Sequence, residues 1–124
     1  VNFFYLILLF TFPLFAVTFK YIDGNGNQYI LKDDILEYIP IQPEYSSSGF
    51  YSGGEPFSEK LNQKQKQALE KLFLESKSLP ESQKELYHKK GSGLVVIGQT
   101  SVLVKQNSSY QKKLELELNK FKKK

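Results

Sequence analysis

Two hydrophobic rhythms divide the chain. Val17, Phe19 and Tyr21 are separated by Thr18, Lys20 and Ile22, the two-residue period that turns one side of a strand toward a core. The turn-forming run Asp23-Gly24-Asn25-Gly26-Asn27 then leads into Gln28-Tyr29-Ile30-Leu31-Lys32. Two β-type runs around Asn-Gly predict a hairpin, because Asn and Gly tolerate the positive φ of such turns. Residues 35–41 keep the strand character, and Pro40 marks its end or an edge. A second hairpin is predicted over 93–98 and 101–105. Its first strand, Gly93-Leu94-Val95-Val96-Ile97-Gly98, is apolar on both faces and suits the inside of a sheet.

The three-and-four spacing of a helix takes over after residue 62. Ala68, Leu69, Leu72 and Phe73 form an apolar stripe, while Lys64, Lys66, Glu70, Lys71 and Glu75 are polar. Asn62 as cap with Gln65 three residues on has the spacing of a capping box, which predicts a helix over 63–76. Ser78-Leu79-Pro80-Glu81 repeats the start signal and predicts a short helix over 80–89, stopped by Gly91. Only Leu86 and Tyr87 are apolar there, so a strand ending at the same glycine is the alternative. Asn107-Ser108-Ser109 can cap a final helix over 110–122, with Tyr110 at its start and Leu114, Leu118 and Phe121 on its stripe.

These elements predict an α+β fold: a small antiparallel sheet of about five strands, with two or three helices packed on one face. The expected core is Val17, Phe19, Ile30, Ile39, Leu69, Leu72, Phe73, Val95, Ile97, Leu103, Leu114 and Leu118. One domain fills residues 17–124, and a hydrophobic segment precedes it.

That segment changes the picture of where the protein works. Residues 1–19 carry no charged side chain, and 1–16 reads as a signal peptide or membrane anchor. The run barely reaches the length of a membrane span, and Pro13 interrupts it. No lysine precedes it, and Ala16 is the only small apolar residue at a cleavage position. The expectation is a periplasmic or secreted protein, with membrane contact through residues 1–19 if the segment stays attached.

Charge and composition mostly exclude. All 17 basic residues are lysine, so the bidentate arginine contacts that read phosphate and guanine are absent, which argues against nucleic acid. The net charge of +4 lies in the tail from Lys120 to Lys124, since residues 1–119 hold equal numbers of lysines and acids. Such a tail is the solvated end of a helix or a contact for an anionic surface. Without cysteine there is no disulfide, thiolate ligand or thiol nucleophile.

Candidate chemistry is thin. Asp23, Asn25, Asn27 and Asp34 stand at positions of a calcium loop, but Gln28 occupies the place that needs Gly, and the flanks alternate like strands. His88, the sole histidine, has nothing nearby in sequence to orient it. Ser109-x-x-Lys112 has the spacing of a serine–lysine pair, yet Ser109 is better employed in capping. Glu115 and Glu117 fall on different helix faces. No cofactor, metal site or enzymatic activity is expected.

Binding asks for less. Residues 43–56 form a connection rich in Ser, Gly and Pro, longer than usual for a structureless loop. Ser48, Gly49, Phe50, Tyr51 and Ser52 at its middle are the expected binding residues, with Phe50 and Tyr51 as aromatic anchors for a protein partner. The expectation is a non-catalytic binding or inhibitory module. A structural envelope protein that touches anionic surfaces through its lysine-rich C-terminus is the alternative.

Overall fold

Six strands make one antiparallel sheet in a computed structural model that describes residues 17–122. The segment 1–16, on which the expected signal peptide or anchor falls, lies outside the described residues, as do 123 and 124. The strands are β1 (Phe19–Ile22), β2 (Gln28–Lys32), β3 (Ile35–Ile39), β4 (Phe57–Lys60), β5 (Gly93–Ile97) and β6 (Thr100–Val104). Their order across the sheet is β4-β3-β2-β1-β5-β6. Two helices, α1 (Gln63–Glu75) and α2 (Ser109–Asn119), complete an α+β fold.

One strand more than expected is present. Phe57–Lys60 pairs with β3, where Phe57 lies opposite Tyr38 with ring centres 5.4 Å apart. Four residues with a single apolar side chain give too weak an alternation to be read locally; the partner strand makes them a strand.

Both helices cover the same face of the sheet. Phe19, Tyr21, Tyr29, Leu31, Leu36, Tyr38, Val95, Ile97 and Val104 are buried there with Leu69, Leu72 and Phe73 of α1 and Leu114 and Leu118 of α2. The Phe73 ring lies 5.5 Å from that of Phe19. Gly93 leaves space for the Tyr21 ring, which a Cβ at that position would meet at 2.6 Å. No described helix lies on the opposite face, where strand alternation places Ile22, Ile30, Ile35, Ile39, Leu94, Val96 and Leu103.

This face assignment corrects three of the expected core residues, and a fourth, Val17, lies outside the sheet. Ile30 and Leu103 are only partly buried on the open face, Ile39 is 42% exposed there, and Val17 is 48% exposed ahead of β1. Strands apolar on both sides satisfy the two-residue period in either orientation, so alternation cannot choose. The tyrosines decide it, since each hydroxyl finds a polar partner only on the inner side.

The capping box at α1 is formed as its spacing implied. Asn62 Oδ1 accepts from the Gln65 backbone N–H at 2.8 Å, and Gln65 Oε1 accepts from the Asn62 N–H at 2.9 Å. The Ser108 hydroxyl oxygen accepts from the Gln111 N–H at the start of α2. The helix expected over 80–89 is absent. A single 3-10 turn, Glu81–Gln83, is followed by extended chain that bridges β6 through Lys84 and Val104. The Glu85 N–H donates to Leu103 O and the Lys105 N–H to Gln83 O. With so few apolar side chains a helix here has no stripe to bury, and its backbone instead satisfies the open edge of β6.

Long and short connections segregate. The turns at 33–34, 61–62 and 98–99 lie at one end of the sheet, where the chain also enters and the Gly98 N–H donates to Thr18 O. The connections 23–27, 40–56 and 76–92 lie at the other end.

Candidate functional site

The three long connections are tied to one another. In the β1–β2 turn the Asp23 carboxylate accepts from the backbone N–H groups of Asn25 and Asn27, each at 2.9 Å, and from the Asn27 amide. Three residues of the calcium-loop spacing are thus occupied in shaping a hairpin. Asp34 lies at the far end of β2, 3.9 Å from Lys60 Nζ. Among the described residues no cluster of three or more His, Cys, Asp or Glu is arranged to hold a metal ion.

Asn27 is the hub. Its side chain, 1% exposed, donates from Nδ2 to the Tyr51 hydroxyl at 2.9 Å and accepts at Oδ1 from the Ile41 N–H at 2.9 Å. Gly53 passes so close that any Cβ would collide with the Asn27 side chain and with Pro40. The Tyr38 hydroxyl donates to Gly53 O at 2.6 Å, and the Gly53 N–H donates to Ile41 O. On the entering side the chain makes a 3-10 turn, Pro43–Tyr45. The Ser46 hydroxyl there donates to Pro43 O and accepts from the Tyr51 N–H. The leaving limb is therefore tied to β3 and to the β1–β2 turn, and the entering limb to that turn at Ile41.

The tip of the loop is not. Ser48, Gly49 and Ser52 are exposed, and Phe50 is 89% exposed, with Gly49 at φ +78° turning the chain beneath it. Of the expected binding residues only Tyr51 turns inward, because its hydroxyl completes the Asn27 network. The two aromatics have different jobs: Tyr51 anchors the loop and Phe50 is displayed by it.

Sequence reading missed a neighbour. Gly24 of the β1–β2 turn abuts Gly91, which joins the connection 84–92 to this end of the sheet. Leu86 is 84% exposed on it, Tyr87 73%, and Tyr45 on the first loop 77%. The signal was present as the two lone apolar residues of a polar run, which the sequence reading weighed only as helix or strand and not as exposed surface. His88 is exposed beside them, with no hydrogen-bond partner among the described residues.

Behind the loops lies a row of tyrosines. Tyr21, Tyr29 and Tyr38 are direct cross-strand partners, with ring centres 6.2 and 4.7 Å apart. The Tyr21 hydroxyl donates to Glu115 Oε2 at 2.6 Å, and the Tyr29 hydroxyl donates to Asn119 Oδ1 at 3.4 Å. The Lys122 ammonium sits 4.5 Å from the Tyr38 ring centre. Burial raises the Tyr21 and Tyr29 phenols far above their ordinary value, with Glu115 adding to the effect at Tyr21 and Tyr38 adding to it at Tyr29. Tyr38 is pushed up to about 12, again chiefly by burial. Burial also raises the Glu115 carboxyl, against the opposing effect of the Tyr21 hydrogen bond.

On the outer side of the helix pair, α1 and α2 touch at one end and diverge. The Tyr110 hydroxyl donates to Leu72 O at 2.7 Å, and Lys113 Nζ lies 3.3 Å from Glu75 Oε2. From that contact a groove of about 740 Å3 opens toward the start of α1 and the end of α2.

The Ser109 hydroxyl donates to Gln83 Oε1, which also accepts the Tyr110 N–H, so both serve the first turn of α2. Glu115 faces Tyr21 while Glu117 accepts from Lys120 at 2.8 Å. No described helix is long and apolar enough to cross a membrane. No family model, curated protein or solved structure matches the chain.

Proposed function

We propose that this is an exported, non-catalytic binding or inhibitory module whose recognition surface is the long-loop end of the sheet, with Phe50 as its principal anchor. The observation that carries the reading is the 89% exposure of Phe50 on a loop whose limbs are hydrogen-bonded to Asn27 of the β1–β2 turn and to Tyr38 of β3. A large aromatic held out on a pre-shaped loop loses little conformational freedom on entering a partner's pocket. Tyr45, Leu86 and Tyr87 supply apolar area around it.

The test is capture of a partner from the envelope fraction of the native host, with wild-type protein and Phe50→Ala compared. The variant is expected to match the wild-type unfolding midpoint within about 0.5 kcal/mol, as surface changes do, and to lose the partner. Undiminished capture by Phe50→Ala overturns the reading. The alternative, envelope association through the C-terminal lysines, has less support, because Lys120 pairs with Glu117 and Lys122 rests on the Tyr38 ring.

A further inference from the structure

The groove between α1 and α2 has a second character, independent of the loops. Its floor is apolar: Leu69 and Leu72 lie at the bottom, Ala68 is exposed along one wall, and Phe121 closes the end beyond α2. Its rim is basic, with five lysines against three glutamates among the lining residues. Glu75 pairs with Lys113 and Glu117 with Lys120, which leaves Lys64, Lys71 and Lys122 against Glu59, the one lining acid without an ion pair among the described residues. Lys122 rests over tyrosine rings, and Lys64 and Lys71 have no ion pair among the described residues. Positive charge is therefore left over around a greasy strip.

The walls restrict what can lie there. Backbone groups within helices are bonded to their own turns, so an extended peptide finds no main-chain partners in the groove. An acyl chain needs none. It gains from burial against Ala68, Phe121 and the methylene stems of the flanking lysines, over a base in which Leu69 and Leu72 are already almost fully buried.

We propose that this groove binds a single-chain fatty carboxylate, with the acyl chain along the strip and the carboxylate against Lys64 and Lys71. The volume falls within the range of small-ligand sites. Neither the headgroup nor the chain suffices alone: the lysines are exposed and their contribution is screened by salt, while the strip by itself does not distinguish charge.

The full chain is titrated calorimetrically with dodecanoate below the concentration at which it forms micelles. Dodecyltrimethylammonium serves as the same chain with opposite charge, and acetate as the same headgroup without a chain. Saturable binding of dodecanoate alone is expected. Ala68→Glu places a carboxylate in the apolar wall at an exposed helical position and abolishes it, and Lys64→Glu with Lys71→Glu weakens it by about tenfold. Ile39→Lys, on the open sheet face, leaves it unchanged. Equal binding of the cationic detergent, retention of affinity in Ala68→Glu, loss in Ile39→Lys, or no saturable binding at all each overturns the proposal.

Discussion

Glu115 brings burial and charge into direct opposition. Its carboxylate receives the Tyr21 hydroxyl at 2.6 Å, yet its pKa is raised because burial penalises the ion more than that bond and Lys122 favour it. A folded-state value above the unfolded one means that the protonated acid suits the fold. The stabilisation is complete below the unfolded value and is lost as pH rises through the folded one. At neutral pH the ion is a cost. Glu115→Gln retains an oxygen that can accept from Tyr21 and carries no charge. It should raise the urea midpoint at pH 7 and change it little near pH 3, below the ordinary carboxylate range. A lower midpoint at pH 7 would mean that the ion's attraction to Lys122 outweighs its burial.

Among the elements, α1 was the most legible in the sequence. Its stripe, its cap and its capping-box partner occur within a dozen residues, and each operates locally. Asn62→Ala removes the acceptor for the Gln65 N–H and should cost about 1 kcal/mol, read as a lower denaturant midpoint with an unchanged slope. A loss much below this would show that the box adds nothing to α1's packing on the sheet. Elements that depend on distant chain were harder to see. The strand Phe57–Lys60 exists because β3 lies beside it, and the stretch after Pro80 is held by the edge of β6. In the candidate site, the flexible composition of 43–56 was readable. The division of labour between Phe50 and Tyr51 was not, since it is set by Asn27, 24 residues from Tyr51 in sequence. Ile30 and Ile39 were misplaced for a related reason: both faces of β2 and β3 are apolar, and hydroxyl partners on α2 and the long loop fixed which side turned inward.

At the scale of the molecule, four buried phenols act together. Tyr21, Tyr29, Tyr38 and Tyr110 are all raised above the ordinary value, with burial the largest cause in each. Above about pH 10 the unfolded chain releases protons that the folded chain keeps, so stability falls as pH climbs through the folded values. Denaturant midpoints should therefore drop steeply between pH 10 and 12, and replacing Tyr29 by Phe should make that decline shallower. A slope indifferent to Tyr29 would show that its ring is solvated. The sheet face that no described helix covers predicts a second global property. Its aliphatic side chains form the kind of patch that promotes self-association when salt screens the net charge. Ile39→Lys, at a position already 42% exposed, should raise the concentration at which light scattering begins without lowering the unfolding midpoint. The tyrosine row has an optical consequence as well. The chain contains no tryptophan, and three of its eight tyrosines lie side by side in a chiral row, Tyr21 and Tyr29 stacked and Tyr29 and Tyr38 tilted, with the first two bonded to α2. Near-ultraviolet circular dichroism should thus be dominated by coupled phenol transitions. That band is a label-free reporter of whether the last helix is seated, fading when α2 lifts away even while the strands remain paired.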